Sequence, residues 1–376
     1  MKAYSTNYLS GIFNKLSNRE DLTHNEAKDV VIKIFDDLVH NKPGAPALMI
    51  AFYGSLTVKE PALEELTGMA DALERTKKFK FHFDVKKPLV TAGGTGGDTI
   101  STINVTTPAT IVAASAGAYA LKSGARAFSS KTGASDLAYT LGVNINSSKR
   151  AVEECVEKIG TTIWDSGGVY PWMDPLIELG SRNETHLISP LLYSLRLMIA
   201  TGLNPFSIKR QVRGVSRPFT EKIARVLLSC NYEKALVVLG YGKTEDMRID
   251  EYSNLGKNVI SELKPNGIIE TYCFFPEDIG LKRGNINEIM SFNSHEENAK
   301  IVVKILSGLD SYSRTDIVLL NAGAILYLAD EVKDIKDGYE LSKQILNEGK
   351  AIKKLKQLIS LSGGLDNKLK RLINSF

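Results

Sequence analysis

Residues 91–109, Thr-Ala-Gly-Gly-Thr-Gly-Gly-Asp-Thr-Ile-Ser-Thr-Ile-Asn-Val-Thr-Thr-Pro-Ala, constrain the fold more than any other stretch of this chain. An apolar, strand-like run at 88–91 leads into them. Four glycines then let the backbone turn tightly and approach a ligand closely. Thr106-Thr107-Pro108 reads as a helix start, with a threonine N-cap and proline at the first helical position. Strand, glycine loop and helix N-terminus in that order bring free N–H groups and the positive end of a helix dipole together, which suits phosphate. No Gly-Lys-Ser/Thr follows, so this is not a P-loop, and GxGxxG spacing into a helix is absent. Asp98 is placed to face a ribose hydroxyl or a metal-bound water. Asn104, Thr106 and Thr107 put an amide and two hydroxyls at the helix start, suited to a pyrophosphate and its Mg²⁺.

The rest of the chain reads as strand–helix alternation behind a helical segment. Residues 1–85 carry helical periodicity, with Thr23 and Glu26 at capping-box spacing before Val30, Val31, Ile34 and Phe35. Short β-rich runs follow at 88–91, 118–121, 143–145, 161–164, 235–239 and 268–274. Helical patterns occupy 108–117, 149–159, 296–306 (with Ser294 as cap), 317–329, 339–347 and 351–361. The expected fold is α/β: a small N-terminal helical domain, then a large domain with a mainly parallel sheet covered by helices. The proline-rich stretch 170–218 fits a hinge or a return into the helical domain.

Two further constellations carry chemistry. Residues 121–136 follow a strand and hold Lys122, Arg126 and Lys131 with Ser129, Ser130 and Thr132, a second anion cradle. Asp250 and Glu251, after the 235–239 run, can share a hard cation through its waters. Adjacent acids are ordinarily solvated loop residues, so this pair gains meaning only beside the two loops.

Composition excludes several classes. Among 376 residues, 47 basic against 43 acidic side chains leave a net charge of +4, spread along the chain and too small to imply nucleic acid. The basic cluster Lys368, Lys370 and Arg371 reads as a solvated last helical turn. Cys155, Cys230 and Cys273 form no CxxC pair, which fits a reducing cytoplasm. No apolar run approaches a membrane span, and no HxH or HExxH spacing supports a histidine-bound metal.

In this order the motifs resemble the anthranilate phosphoribosyltransferase family. Gly94-Thr-Gly-Gly-Asp98 with Asn104-Val-Thr-Thr107 is similar to its first diphosphate loop. Lys122-Ser-Gly-Ala-Arg126 stands where the family has Lys-His-Gly-Asn-Arg, and residues 129–142 resemble the segment after it. Asp250-Glu251 matches the family's magnesium-binding acids; residues 319–328, 338–341 and 349–351 also fit. The resemblance runs over nearly the whole chain.

It implies a helical domain over 1–85, joined by part of 170–205, and an α/β domain over 86–376 that binds 5-phosphoribosyl 1-diphosphate. It implies Mg²⁺, a homodimer and transfer of the phosphoribosyl group to an amine or nitrogen acceptor. By carry-over, Gly94, Gly97, Asp98, Thr102, Asn104, Val105, Thr106, Thr107, Lys122, Ser123, Gly124, Ala125, Arg126, Ser129 and Ser130 contact the donor. Thr106, Asp250 and Glu251 hold magnesium, and Lys122 and Arg126 supply catalytic positive charge as diphosphate leaves. The departures lie mostly on the acceptor side. Ser123 replaces His, Ala125 replaces Asn, Ala134 replaces a serine, and Tyr193 stands at the position of the family's arginine before Asn204-Pro205. The acceptor is therefore anthranilate, which would place the chain in tryptophan biosynthesis, or another aromatic or nitrogen compound. Two other readings share the fold: a nucleoside phosphorylase, whose Lys-His-Ser/Thr pattern is absent here, and a non-catalytic nucleic-acid-binding member.

Overall fold

The computed structural model describes residues 6–125, 133–181 and 188–376. In chain order its elements are α1 (Thr6–Ser17), α2 (His24–Val39), α3 (Ala45–Lys59), α4 (Leu63–Arg75), β1 (Leu89–Gly94), α5 (Thr106–Ser115), β2 (Tyr119–Gly124), α6 (Ala134–Leu141), α7 (Lys149–Ile159), β3 (Thr161–Asp165), α8 (Met173–Ser181) and α9 (Tyr193–Gly202). Then come β4 (Arg210–Gly214), α10 (Thr220–Ser229), β5 (Lys234–Tyr241), β6 (Arg248–Ile249), β7 (Asn258–Leu263), β8 (Ile269–Phe274), α11 (Ile286–Ile289), α12 (His295–Leu306), α13 (Ser313–Leu328), α14 (Ile335–Asn347), α15 (Lys350–Leu361) and α16 (Asp366–Ile373).

The chain divides into two compact units. One comprises Met1–Lys80, Gly167–Pro205 and Arg225–Asn231; the other comprises Phe81–Ser166, Phe206–Ala224 and Tyr232–Phe376. The first is helical. Thr23 caps α2 with a full capping box: its side chain accepts from the Glu26 N–H, and Glu26 Oε2 accepts from the Thr23 N–H at 2.9 Å. The apolar face this cap initiates buries Val30, Val31, Ile34 and Phe35, and Phe35 stacks on Trp172 with centroids 3.9 Å apart. Glu65 is fully buried yet satisfied, accepting from Leu22 N–H (2.8 Å), Ala62 N–H (2.7 Å) and Lys59 Nζ (2.9 Å). The 170–205 return enters this unit through α9. Ser194 Oγ donates to the Tyr53 carbonyl at 2.6 Å, and a Cβ on Gly202 would lie 2.9 Å from the Ala70 Cα.

The second unit is built on an eight-stranded sheet of order β3-β2-β1-β4-β5-β7-β8, with β6 paired to β5. Strands β1 to β5 run parallel, while β6, β7 and β8 are antiparallel. Strand β3 is buried along its whole length; β8, the outermost strand on the other side, leaves Glu270, Thr271 and Cys273 exposed. Helix α13 is buried around nearly its full circumference, as expected of a helix with no polar face. It meets α14 backbone to backbone, since a Cβ on Gly338 would fall 2.7 Å from the Gly323 Cα.

The sequence-based expectations need four corrections here. Residues 143–145 form no strand; Val143 and Ile145 are buried in the core, and the Ile145 carbonyl accepts from the Asp165 N–H at 3.0 Å. Helix α5 starts at Thr106 with Val105 at the cap and no side-chain cap bond, so Thr106 lies inside the helix and Pro108 in its first turn. Strands β1 and β2 run three residues beyond the apolar runs that announce them, into Gly94 and Gly124. Strands β4, β6 and β7 fall outside the expected strand set. β4, Arg-Gln-Val-Arg-Gly, holds one apolar side chain inside the proline-rich stretch, β6 is two residues long, and β7 carries Asn258, Ser261 and Glu262 among its apolar residues.

Candidate active site

Residues capable of chemistry collect where the parallel strands of the second unit end. In an open parallel sheet, ligands bind beyond the carboxyl ends of the strands where strand order reverses. Here β1 leads to β2 on one flank, while β4 joins β1 on the other, so the reversal lies between β1 and β4. At that place Gly93 pairs with Arg213 and Gly94 with Gly214.

The glycine loop leaves β1 there. Gly96 and Gly97 take φ of 71° and 87°, the left-handed region open to glycine without strain. Gly96 N–H donates to Asp250 Oδ2 at 2.5 Å, and Asp250 N–H donates to Asp98 Oδ1 at 2.8 Å. Thr99 Oγ1 donates to the Asp246 carbonyl and accepts from the Arg248 N–H, both at 2.7 Å. Farther along, Ile103 N–H donates to the Ile289 carbonyl at 2.8 Å and Thr102 bridges Met290. The loop is thus tied at both ends before the chain enters α5. Val105 and Thr107 are 1% and 0% exposed, and the Thr107 hydroxyl is enclosed with no hydrogen-bond partner among the described residues.

Asp250 and Glu251 follow β6 and lie across the ends of β4 and β5. Two glycines make the room: a Cβ on Gly214 would fall on the Asp250 carbonyl, and one on Gly240 on the Glu251 carbonyl. Asn321 on α13 anchors the segment from behind. Its Oδ1 accepts from the Tyr252 N–H at 3.1 Å, and its Nδ2 donates to the Tyr252 carbonyl at 2.9 Å and the Ile317 carbonyl at 2.8 Å.

Asp98, Asp250 and Glu251 each offer an oxygen, and these oxygens lie within 4.8 Å of one another. Burial and the charges of Asp250 and Glu251 hold the Asp98 carboxyl well above the usual carboxylate range; burial and Asp250 do the same for Glu251. Glu251 Oε2 is enclosed with no hydrogen-bond partner among the described residues. A cation among the three would relieve both the repulsion and the orphaned oxygen, and an all-oxygen donor set suits Mg²⁺.

Lys122 on β2 is 6% exposed. Burial first, and then the Arg213 guanidinium, push its ammonium down to about 8 against the attraction of Glu251 and Asp250. A Cβ on Gly93 would lie 3.3 Å from Lys122 Nζ and 3.5 Å from Arg213 Nη1, so both cationic heads meet over bare backbone. At the end of β2, Gly124 leaves space for α6: a Cβ there would lie 2.8 Å from Ser135 Oγ. Ser135 N–H donates to the Ala125 carbonyl at 3.2 Å. Arg126, Ser129, Ser130, Lys131 and Thr132 lie outside the described residues. Tyr193 is buried within the helical unit.

Asp98, read from the sequence as facing a ribose hydroxyl or a metal-bound water, joins the two acids as a third carboxylate. Two further contributions are not legible in the sequence. Asn321 holds the acidic segment. Arg213 reaches the same glycine as Lys122, and its only sequence signal is a charge inside the run Ile208-Lys-Arg-Gln-Val-Arg-Gly-Val215.

Residues 86–352 match the family model described as "Glycosyl transferase family, a/b domain". The chain is 33% identical over 359 residues to the anthranilate phosphoribosyltransferase of Acetivibrio thermocellus, covering 94% of this chain and 96% of that one. Among solved structures, the anthranilate phosphoribosyltransferase of Thermus thermophilus is 28% identical with a TM-score of 0.74, over 93% of this chain and 98% of that one. The Saccharomyces cerevisiae enzyme, solved in complex with PRPP and Mg, shares the fold with a TM-score of 0.77 at 21% identity, over 96% of this chain and 99% of that one.

Proposed function

The chain belongs to the anthranilate phosphoribosyltransferase family, and from that premise we propose that it transfers the phosphoribosyl group of 5-phosphoribosyl 1-diphosphate to an aromatic amine, with anthranilate as the acceptor its relatives are named for. The observation that carries this reading is the meeting of Asp98, Asp250 and Glu251 with the glycine loop and Lys122 at the reversal point of the sheet.

Asp98, Asp250 and Glu251 would hold Mg²⁺, with Thr106 at the head of α5 as the expected fourth oxygen. When bound, the ion neutralises charge on the diphosphate. The protein's own part is positioning and electrostatics. The α5 N-terminus and the glycine-loop N–H groups, apart from that of Gly96 which Asp250 holds, would face the negative oxygens, and Lys122 adds a buried positive charge whose attraction grows as negative charge builds on the leaving group. Arg126 is expected to add a second. The ribose carbon then takes up oxocarbenium character and is met by the acceptor nitrogen, brought in line by binding. An arylamine acceptor sheds its proton after bond formation and needs no strong base.

Supporting the donor half are the cation-ready carboxylates and the tethered loop. Ser123 and Ala125, which depart from the family's His and Asn, are the residues on which the acceptor turns. The reading includes a homodimer in the cytoplasm, which light scattering of the purified chain addresses for the assembly. Calorimetric titration with Mg²⁺ and 5-phosphoribosyl 1-diphosphate, followed by anthranilate consumption with pyrophosphate release, tests the activity. Donor binding with anthranilate turnover is expected. Donor binding without it moves the acceptor to another nitrogen compound, and no donor binding removes the reading.

A further inference from the structure

The glycine loop is held along two limbs. The near limb, through Gly96 and Thr99, bonds to the segment that carries Asp250. The far limb, residues 101–103, lies against residues 289–291. There Ser291 N–H donates to the Ser101 carbonyl at 2.9 Å, Ile103 N–H donates to the Ile289 carbonyl at 2.8 Å, and the hydroxyls of Ser101 and Ser291 share a hydrogen bond of 2.7 Å. Residues 289–291 end a single helical turn, α11, and belong to no strand, so side-chain bonds must set where they lie.

Those bonds converge on Ser313, the first residue of α13. Glu288 Oε2 accepts from the Ser313 N–H at 2.8 Å and from the Ser313 hydroxyl at 2.6 Å. The same hydroxyl accepts from the Asn285 N–H at 2.9 Å. Tyr312 gives α13 no side-chain cap bond, and the Glu288 carboxylate takes that place, negative charge meeting the positive end of a long buried helix. Its bonds to Ser313 hold the Glu288 carboxyl below the usual carboxylate range. From the other side, Asn254 Nδ2 donates to the Ser313 carbonyl at 2.7 Å, and Asn254 continues the segment of Asp250 and Glu251. Ser313 thus joins the metal-ready acids to the far limb of the loop, on the helix whose Asn321 also holds Tyr252.

We propose that Glu288 is a positioning residue for phosphoribosyl transfer: through Ser313 and residues 289–291 it fixes residues 101–103, and with them the entry to α5, relative to Asp250 and Glu251. The inference rests on the phosphoribosyl-transfer reading. The far limb carries Thr102 and leads to Asn104 and Thr106, the residues expected at the diphosphate and its Mg²⁺. Negative charge grows on that diphosphate as its bond to ribose breaks. A far limb out of register therefore costs more in the transition state than in donor binding, and the loss falls on kcat before it falls on Kd.

The test uses the full-length chain with Glu288→Ala and Glu288→Gln. Glutamine keeps an oxygen for Ser313; alanine removes it. Steady-state kinetics measures kcat and the KM of each substrate, calorimetry measures the Kd of 5-phosphoribosyl 1-diphosphate with Mg²⁺, and hydrogen exchange follows peptides covering Ile103 and Ser291. Glu288→Ala is expected to lower kcat by about tenfold or more while donor Kd changes by less than about threefold. Exchange at Ile103 and Ser291 should quicken in the same variant, and Glu288→Gln should recover most of both effects. If Glu288→Ala retains kcat per folded molecule within about twofold, whatever its Tm, the inference is overturned and the reading stands. Failure of the wild type to bind donor removes both. Should Glu288→Ala not fold, Ser291→Ala removes only the hydroxyl bond to Ser101; a loss of about threefold in kcat is then expected, and no loss overturns the inference.

Discussion

Replacing Lys122 with methionine should make the protein more stable and less able to bind its donor. The side chain keeps its length and apolar stem but loses the buried ammonium. In the folded chain that ammonium falls from its ordinary 10.5 to about 8, which at ~1.4 kcal/mol per pH unit amounts to about 3 kcal/mol set against folding. The sign follows from proton binding. Between these two values the unfolded chain holds more protons, so this contribution improves as pH rises. Below pH 8 the full cost is present, and above 10.5 it is gone. Lys122→Met should therefore exceed the wild type by about 3 kcal/mol at pH 7 and by roughly half of that at pH 9.5. Denaturant unfolding of both proteins at the two pH values measures the gap. Calorimetry with Mg²⁺ and 5-phosphoribosyl 1-diphosphate should show affinity reduced by roughly 10- to 150-fold, one lost charge-assisted contact. A variant less stable than wild type at pH 7, or one with unchanged donor affinity, would refute the assignment of Lys122 as a charge held in place for a ligand.

Other perturbations address the neighbouring parts. Mg²⁺ with donor at a hundredfold excess over Kd should stabilise the wild type by about 2.7 kcal/mol, and Asp250→Asn should abolish that gain, read as the ligand-induced change in Tm. Gly94→Ala would drive a methyl into the Asp250 carboxylate, so donor binding should fall below detection in calorimetry even where circular dichroism reports a folded chain. Asn321→Ala strands the Tyr252 N–H and carbonyl, and should cost about 1–3 kcal/mol in denaturant unfolding together with a weaker response to Mg²⁺. In the helical unit, Glu65→Ala leaves Lys59 with only Asp21 and two N–H groups without acceptors, an expected loss of about 3 kcal/mol by the same unfolding assay.

Local signals survive translation into structure best. Thr23 with Glu26, and Ser294 before α12, are caps written in a few consecutive residues, and both form as the spacing indicates. The glycine loop is legible for the same reason. Its φ values and its helix belong to one short stretch. The start of α5 lies two residues before its sequence signal, which puts Pro108 at the first helical position: the helix begins at Thr106 behind Val105, and neither threonine serves as a side-chain cap. Strand β4 is invisible in the sequence because its charges, Arg210 and Arg213, break the apolar alternation that marks a strand. Asp98 beside Asp250 depends on residues 152 apart in sequence, a relation fixed by topology and by the room that Gly214 provides. Ser123 and Ala125 are readable as departures, yet their consequence depends on what the acceptor presents to them.

The outer strand β8 bears on how this chain behaves at concentration. A last strand offers unpaired N–H and C=O groups to any extended segment that meets it, in this molecule or another. Here the exposed Glu270 forms an ion pair with Lys264 at 2.5 Å along that border, and charge there discourages a second chain from aligning. Residues 268–274, Ile-Ile-Glu-Thr-Tyr-Cys-Phe, are otherwise rich in strand-forming side chains and hold no proline. Within this strand a single acidic residue, Glu270, supplies the charge that opposes such pairing, and its role is separate from that of the groups that bind substrate.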